Sequence, residues 1–155
     1  MPLKTIFIDS NIFLNFLLKE KDLYEGSKKI LENLESGRVQ GITTLLNLME
    51  ILAVLRKYSQ RDDAFIIKDV EELGEMNNLQ IVIPSEVHIA EAYNIQKQLK
   101  LLPADSILLA VACDFAEVFI TRDEELIKKA KALLPTVKPE DLIIKSKPPA
   151  LPGDS

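Results

Sequence analysis

The sequence has few residues of the types that build disulfides or structural zinc sites. Its 155 residues include one cysteine (Cys113), one histidine (His88) and no tryptophan. A single thiol cannot form a disulfide framework, and one cysteine with one histidine cannot complete a structural zinc site. Cys113 lies in the apolar segment SILLAVACDF, where we expect a small buried side chain and not a reactive thiolate. His88 follows Pro84-Ser85, and we expect a solvated surface imidazole.

Glycine is also scarce, with five residues in the chain. A dinucleotide-binding turn needs glycines after the first strand, because only glycine lets the backbone approach a pyrophosphate closely. The corresponding segment, residues 9–13, reads DSNIF, and no Gly-Lys-Ser/Thr motif occurs in the sequence. Dinucleotide-binding enzymes of this type and phosphate-loop NTPases are therefore excluded.

Long uninterrupted apolar runs are missing as well. The longest are broken by Asn15, Asn47 or Glu50, well before the ~18 residues of a membrane span. The composition, 47% hydrophobic and 28% charged, is typical of one globular domain, and the net charge of −5 argues against a uniformly basic nucleic-acid binder. We expect a soluble cytoplasmic protein without a membrane partner. Its folded domain should cover residues 1–144, followed by a disordered proline-rich tail at 145–155.

Short apolar segments alternate along the chain with segments of helical periodicity. We predict strands at residues 3–8, 39–43, 79–83, 117–120 and, at an edge, 136–138. We predict helices from about residue 11 and at residues 22–36, 45–58, 61–77, 86–100, 103–115 and 123–134. This alternation indicates an α/β fold with a parallel sheet covered on both faces. Functional groups of such sheets collect beyond the carboxyl ends of the strands.

Three aspartates occupy positions of that kind. Asp9 follows the first strand, Asp123 follows the strand at 117–120, and Asp105 lies in the first helical turn after Pro103. Each also has a purely structural interpretation, because aspartate caps helix N-termini and favours turns. None of the three establishes a site by itself.

Glu50 differs from these aspartates because its predicted helix is apolar almost all the way round. We expect a buried carboxylate that needs a partner. Asn47 lies one turn earlier and would form a small polar strip with it. A structural ion pair with an arginine is the alternative.

These four acids can converge at one end of the sheet, and their charges would then require a cation. Two carboxylates ~5 Å apart repel by about 3 kcal/mol at an effective dielectric of about 20. Oxygen ligands without histidine or cysteine suit Mg²⁺ or Mn²⁺. Such a site can activate water for attack on a phosphodiester.

Four segments, in this order, resemble the PIN-domain nucleases, especially the small toxins of VapC type. They are FIDSNIFL at residues 7–14, TTLLNLMEIL around Glu50, LPADSILLAVA around Asp105, and FITRDEEL with Thr121 and Asp123. The resemblance covers nearly the whole of residues 3–144. Ser10 stands where the family more often has threonine, a change that keeps the hydroxyl group.

The resemblance implies a three-layer α/β/α sandwich around a mostly parallel five-stranded sheet. It also implies RNA hydrolysis with Mg²⁺ or Mn²⁺, frequent homodimers and, for the toxins, a separate antitoxin protein. Metal binding and catalysis are carried over to Asp9, Glu50, Asp105 and Asp123, with Asn11 and Thr121 as supporting polar residues. Arg122, beside Asp123, is the one basic residue whose position favours contact with a substrate phosphate.

Other families also place an aspartate after the first strand. A haloacid-dehalogenase-type phosphatase needs a second acid two residues on, where this chain has Asn11, and a receiver domain needs an acidic pair before Asp9, where residues 5–8 contain no acid. A non-catalytic PIN-like module that binds RNA or a partner, with acids that only cap helices, stays open. Metal dependence separates that module from a nuclease.

Overall fold

The computed structural model describes residues 4–142. Its strands are β1 (Lys4–Ile8), β2 (Val39–Thr44), β3 (Leu79–Val82), β4 (Val118–Ile120) and β5 (Thr136–Val137). Its helices are α1 (Ser10–Leu17), α2 (Tyr24–Glu35), α3 (Leu45–Tyr58), α4 (Asp63–Gly74), α5 (Glu86–Leu99), α6 (Pro103–Phe115), α7 (Glu124–Ala130) and a 3₁₀ helix (Pro139–Asp141). The predicted end of the domain, residues 143–144, and the predicted tail, residues 145–155, lie outside the described residues.

The strands form one sheet in the order β3-β2-β1-β4-β5, and every pairing in it is parallel. β1 lies at the centre, where Phe7 pairs with Ile42 of β2 and with Phe119 of β4. The carboxyl ends of these three strands therefore lie side by side. The predicted parallel α/β sheet, with the strand at 136–138 on an edge, is confirmed.

Alternate residues of the central strand supply two separate cores, one on each face of the sheet. Ile6 and Ile8 of β1 belong to the core covered by α1, α2, α3 and α4. Phe7 belongs to the core covered by α5, α6 and α7, where its ring stacks on Phe119 with 4.8 Å between the centroids. Successive side chains of a strand point to opposite faces, so one strand serves both cores. The predicted three-layer arrangement is confirmed.

The burial of Glu50, which was expected because its helix α3 is apolar almost all the way round, is wrong. Ile51 and Leu55 pack into the core, whereas Met49 and Glu50 are exposed. A helix in an outer layer contacts the rest of the fold through one stripe only, so apolar residues outside that stripe remain at the surface. An arginine partner for a buried Glu50 is consequently unnecessary.

The predictions of a surface His88 and a buried Cys113 are also wrong. His88 is 6% exposed, because its ring caps α5 and joins it to α6. Ser85 N donates to its Nδ1 over 2.9 Å, and its Nε2 lies 2.8 Å from Asp114 Oδ2. Cys113 is exposed on α6, and partial burial together with the charge of Glu91 raises the pKa of its thiol. Its thiol is therefore protonated at neutral pH and is a poor nucleophile.

Two predicted helices are shorter than their sequence pattern suggested. The helix expected at 61–77 covers Asp63–Gly74, and the one expected at 123–134 covers Glu124–Ala130 before a turn. None of the helices within residues 4–142 has the length and apolarity needed to cross a membrane.

Candidate metal centre

Asp9 lies at the carboxyl end of β1, where it also caps α1. Its Oδ1 accepts a hydrogen bond of 2.8 Å from Ser10 N and one of 3.3 Å from Asn47 Nδ2. Its Oδ2 accepts bonds of 2.8 Å from Thr121 Oγ1 and 3.4 Å from Asn11 Nδ2. These donors come from α1, α3 and the segment after β4, so they fix the carboxylate at the middle of the edge formed by the strand ends.

Burial is the largest influence on the Asp9 carboxyl and raises its pKa from 3.8 to about 6. The hydrogen bonds from Thr121 and Ser10 lower the pKa, whereas the charges of Glu50 and Asp105 raise it further. At neutral pH the carboxylate is therefore ionised at a cost, within the field of other acids. A cation placed among these acids would remove that cost.

Glu50 reaches this group from the exposed side of α3. Its Oε2 accepts a hydrogen bond of 3.1 Å from Ser10 Oγ, and Ser10 Oγ accepts one of 2.8 Å from Asn47 Nδ2. Because Asn47 also donates to Asp9, Ser10 and Asn47 connect the two carboxylates. The exposure of Glu50 leaves its oxygens open to solvent on the outer side of the site.

Asp105 and Asp123 come from the first turn of α6 and the N-cap of α7. Burial raises the pKa of Asp105, followed in size by the charges of Asp123 and Glu50, and Lys129 lowers it. Asp123 caps α7 by accepting a hydrogen bond of 3.1 Å from Leu126 N. The capping role expected for Asp123 is thus real, and it coexists with a place in the field of the other acids.

Thr121 connects Asp9, at the end of β1, with the backbone of Asp123, after β4. Besides donating to Asp9, its Oγ1 accepts hydrogen bonds of 3.1 Å from Asn11 Nδ2 and 3.2 Å from Asp123 N. Thr121 is fully buried, so its three partners fix the hydroxyl without competition from water. The backbone of Asp123 is thereby held against the group that contains Asp9.

The carboxylates affect one another electrostatically without forming a closed cage. Within residues 4–142, no three side chains of the His, Cys, Asp and Glu types are grouped as a ready-made ligand cluster. Mg²⁺ commonly takes one or two carboxylates and keeps water in its remaining positions. The donors at this site are carboxylate, amide and hydroxyl oxygens without thiol or imidazole, which suits such an ion. The residues therefore fit a hard divalent cation bound partly through water.

Arg122 has contacts that point away from the acids. Its Nε donates to Asn15 Oδ1 over 2.6 Å, its Nη2 to Leu23 O over 3.0 Å, and its Nη1 and Nη2 to the two carboxylate oxygens of Glu140 over 3.0 and 2.8 Å. The side chain is 12% exposed. These contacts support a structural role, and the substrate contact suggested by the sequence stays a prediction.

The sequence analysis missed the hydrogen bonds that Asn47 and Ser10 make to the carboxylates of the site. Asn47 was expected to accompany Glu50, but it is completely buried, and it forms a capping box with Thr44 in addition to its bonds to Asp9 and Ser10. The spacing Thr-x-x-Asn before an apolar helix carries the signal for the cap. The link between Ser10 and Glu50 depends on the relative position of α1 and α3, which local sequence does not contain.

A family model of the PIN domain matches residues 6–132 of this chain. The fold is similar to that of a toxin-antitoxin complex from Klebsiella pneumoniae, with a TM-score of 0.62, 21% identity, and coverage of 86% of this chain and 97% of the other. It is also similar to VapBC2 from Rickettsia felis bound to a DNA fragment from their promoter, with a TM-score of 0.65, 14% identity, and coverage of 86% and 98%.

A third similar structure is FitAcB from Neisseria gonorrhoeae, with a TM-score of 0.66, 16% identity, and coverage of 88% of this chain and 99% of the other. At these identities the likeness concerns the fold. No curated protein sequence matches the chain.

Proposed function

The chain belongs to the PIN-domain family, and from that premise we propose that it is a divalent-metal-dependent ribonuclease that hydrolyses RNA phosphodiester bonds. The observation that carries the proposal is a hydrogen-bond network: Ser10 and Asn47 connect Asp9 with Glu50, and Thr121 connects Asp9 with the backbone of Asp123. The charges of the acids agree with this arrangement. Asp9 lies in the field of Glu50 and Asp105, and Asp105 lies in the field of Asp123 and Glu50. Lys129 is the cation that lowers the pKa of Asp105, and a divalent ion would complete the compensation.

In this proposal the carboxylates of Asp9, Glu50, Asp105 and Asp123 surround Mg²⁺ or Mn²⁺ and hold it partly through bound water. When bound, the ion supplies an activated water and stabilises the departing oxygen of the phosphodiester. Thr121 and Asn11 orient the Asp9 carboxylate, because both donate to its Oδ2. The exposure of Glu50 and Asp123 leaves the outer side of the site accessible to a long substrate.

Cleavage of a labelled single-stranded RNA by the full chain tests the proposal. We expect cleavage in Mn²⁺ and none in excess EDTA, and we expect Asp105→Asn to abolish it. Asp63→Asn is the matched control, because Asp63 is also an acid in the first turn of a helix but belongs to α4, whose acids do not shift the pKa of Asp9 or Asp105. Cleavage that survives EDTA, or that Asp105→Asn leaves intact, would contradict the proposal and favour the non-catalytic module.

We further propose that the chain is the toxin of a toxin–antitoxin pair, a role supported by the similarity of its fold to a toxin-antitoxin complex. A groove of about 670 Å³ between α1, α2 and α4 offers a binding place for a partner helix. Its floor includes Phe16, Leu31 and Leu73, and its rim includes Glu35 and Glu72. The groove suits an amphipathic helix with basic flanks.

The antitoxin proposal predicts that a small protein encoded beside this chain binds it and suppresses cleavage. Leu17→Glu, which places a charge in the groove, should weaken that suppression while the isolated variant still cleaves RNA. If the antitoxin suppresses RNA cleavage by the variant and the wild type equally, its binding site lies outside this groove. The cytoplasmic location stays a prediction from the sequence.

A homodimer is the second assembly that we propose. Large apolar side chains are exposed on α3 and α5, among them Met49 at 58% and Val87 at 69%. Exposed apolar side chains of this size are common at protein interfaces. Light scattering should give twice the mass of the chain for the wild type and a lower mass for Met49→Asp. A wild type that remains monomeric at high concentration would contradict this part of the proposal.

A further inference from the structure

Arg122 lies between two residues of the candidate metal centre, Thr121 and Asp123. Its backbone N–H donates a hydrogen bond of 3.2 Å to Asn11 Oδ1, and Asn11 in turn donates to Thr121 and Asp9. The main chain at Arg122 therefore belongs to the network that orients Asp9. Any displacement of this segment would move Thr121 and Asp123 together.

The side chain of Arg122 runs in the other direction and anchors the segment to α1 and α2. Asn15, one helical turn after Asn11 on the same face of α1, accepts a bond of 2.6 Å from its Nε. Leu23 O and Ser27 Oγ accept bonds of 3.0 and 3.5 Å from its Nη2. Thus α1 fixes Arg122 at two points, one on the main chain and one on the guanidinium group.

Glu140 closes the anchor from the 3₁₀ helix. Its two carboxylate oxygens accept bonds of 3.0 and 2.8 Å from Nη1 and Nη2 of Arg122, a fork geometry that lysine cannot reproduce. The hydrogen bond from Arg122 is also the largest cause of the lowered pKa of Glu140. Arg122 and Glu140 thus form an ion pair with two hydrogen bonds of defined geometry.

Gly26 explains how this pair fits against α2. A Cβ at Gly26 would lie 2.2 Å from Glu140 Oε1 and 3.1 Å from Arg122 Nη2. Glycine in a helix usually lowers stability relative to alanine, so its presence needs a local reason. The ion pair occupies the space in which a larger residue would place its side chain.

We propose that Arg122 is a positioning residue of the metal centre: anchored by Glu140 in the space left by Gly26, it holds Thr121 and Asp123 in place relative to Asp9. The inference deepens the proposed function and rests on it. It replaces a direct role for Arg122 at the substrate with an indirect one that acts through the metal ligands. Residues that orient metal ligands typically change metal affinity or activity by about 10–100-fold when they are removed.

Two variants disturb the anchor without touching a carboxylate of the site. Gly26→Ala displaces the end of the flexible Glu140 side chain, and Glu140→Gln removes its charge. The matched controls are Gly74→Ala, where an added Cβ meets nothing within 4 Å, and Asp69→Asn, which breaks the ion pair between Arg61 and Asp69 on the surface. All four are full-length chains whose folding is checked by circular dichroism.

Mn²⁺ titrations followed by calorimetry supply the main measurement. We expect the dissociation constant for Mn²⁺ to rise about tenfold in Gly26→Ala and Glu140→Gln and to stay unchanged in both controls. At subsaturating Mn²⁺, kcat for RNA should fall with little change in KM. Unchanged Mn²⁺ affinity in both anchor variants overturns the inference and leaves the proposed function standing.

Two further outcomes of these measurements also decide between the possible roles of Arg122. If Glu140→Gln keeps its Mn²⁺ affinity and lowers KM for RNA, the released Arg122 binds substrate phosphate, and the positioning role is overturned. If the wild type binds no Mn²⁺, the proposed function fails, and hydrogen exchange at the Arg122 and Asp123 amides decides the inference. Faster exchange in both anchor variants than in the controls supports the anchor, and equal exchange overturns it.

Discussion

Thr121 donates a hydrogen bond of 2.8 Å to Asp9, and this bond joins the ends of the adjacent strands β1 and β4 although the residues are 112 positions apart. The same hydroxyl accepts bonds from Asn11 and from the backbone of Asp123. One buried hydroxyl therefore connects the acid after β1 with the acid after β4. The relative position of these two acids is set by the fold and not by their separate roles as helix caps.

Thr121→Val is expected to show the importance of this hydroxyl. The substitution keeps the shape but leaves a donor on Asn11 and one on the Asp123 backbone without their acceptor, and it removes a donor to Asp9. Such losses at buried groups cost about 1–3 kcal/mol, so urea denaturation should show a destabilised protein. Thr121→Ser, which keeps the hydroxyl, is the control and should stay close to the wild type. Equal loss in both variants would assign the effect to packing of the methyl group.

Glu50→Gln should separate metal binding from stability. Because Glu50 is exposed, we expect the free energy of unfolding of the metal-free variant to differ from that of the wild type by no more than about 0.5 kcal/mol. The stabilisation by millimolar Mn²⁺ should nevertheless shrink, since a ligand charge is lost. Glu72→Gln, an exposed glutamate on α4, is the control for thermal melting with and without Mn²⁺. An undiminished Mn²⁺ effect in Glu50→Gln would remove Glu50 from the site.

The raised pKa of Asp9 predicts a pH dependence of the metal-free protein. The folded-state value of about 6 lies above the usual 3.8, so the protonated group favours folding. That contribution is full below pH 3.8 and is lost as the pH rises through 6, a difference of about 3 kcal/mol. Relative to Asp9→Asn, the wild type in EDTA should therefore lose stability between pH 4 and 7.

Urea denaturation at several pH values measures this difference. In Asp9→Asn the amide places an N–H₂ group among hydrogen-bond donors. This contact lowers the free energy of unfolding by the same amount at every pH, so it does not change how that free energy depends on pH. Parallel profiles for the wild type and Asp9→Asn would mean that Asp9 titrates at its ordinary pKa in the folded protein.

His88→Ala should destabilise the fold without affecting the candidate metal centre. The ring accepts from Ser85 N and pairs with Asp114 of α6, so its loss removes a cap and a tie between two helices. We expect a loss of about 1–3 kcal/mol in chemical denaturation. Mn²⁺ affinity, measured well below the melting temperature, should remain that of the wild type. A weakened Mn²⁺ affinity would show that α5 supports the candidate metal centre.

The fold was predictable because its strands and helices differ in period and are separated by strong turn signals. The central strands are continuous apolar runs, as expected for strands buried on both faces. The helix predicted at 45–58 is α3 (Leu45–Tyr58). The solvent exposure of individual helix side chains was less predictable. Met49 and Glu50 lie among apolar residues and are exposed, because burial depends on the neighbours of a helix and not on its own composition.

The positions of the acids in the fold were predictable, and the hydrogen bonds of the polar residues around them were not. Asp9 and Asp123 follow parallel strands, so their convergence follows from topology. The contacts of Arg122 on two sides and the fit of Gly26 against Glu140 were not predictable, since they join positions far apart in sequence. His88 was misjudged because its partner Asp114 lies on the next helix.

Binding of Mn²⁺ to the full chain, followed by isothermal titration calorimetry at neutral pH, is the most direct test that these four acids form one cation site. The site predicts saturable binding that Asp105→Asn and Asp123→Asn each weaken and that Asp63→Asn leaves unchanged. Absence of saturable binding at millimolar Mn²⁺, or equal binding by all of these variants, would contradict it.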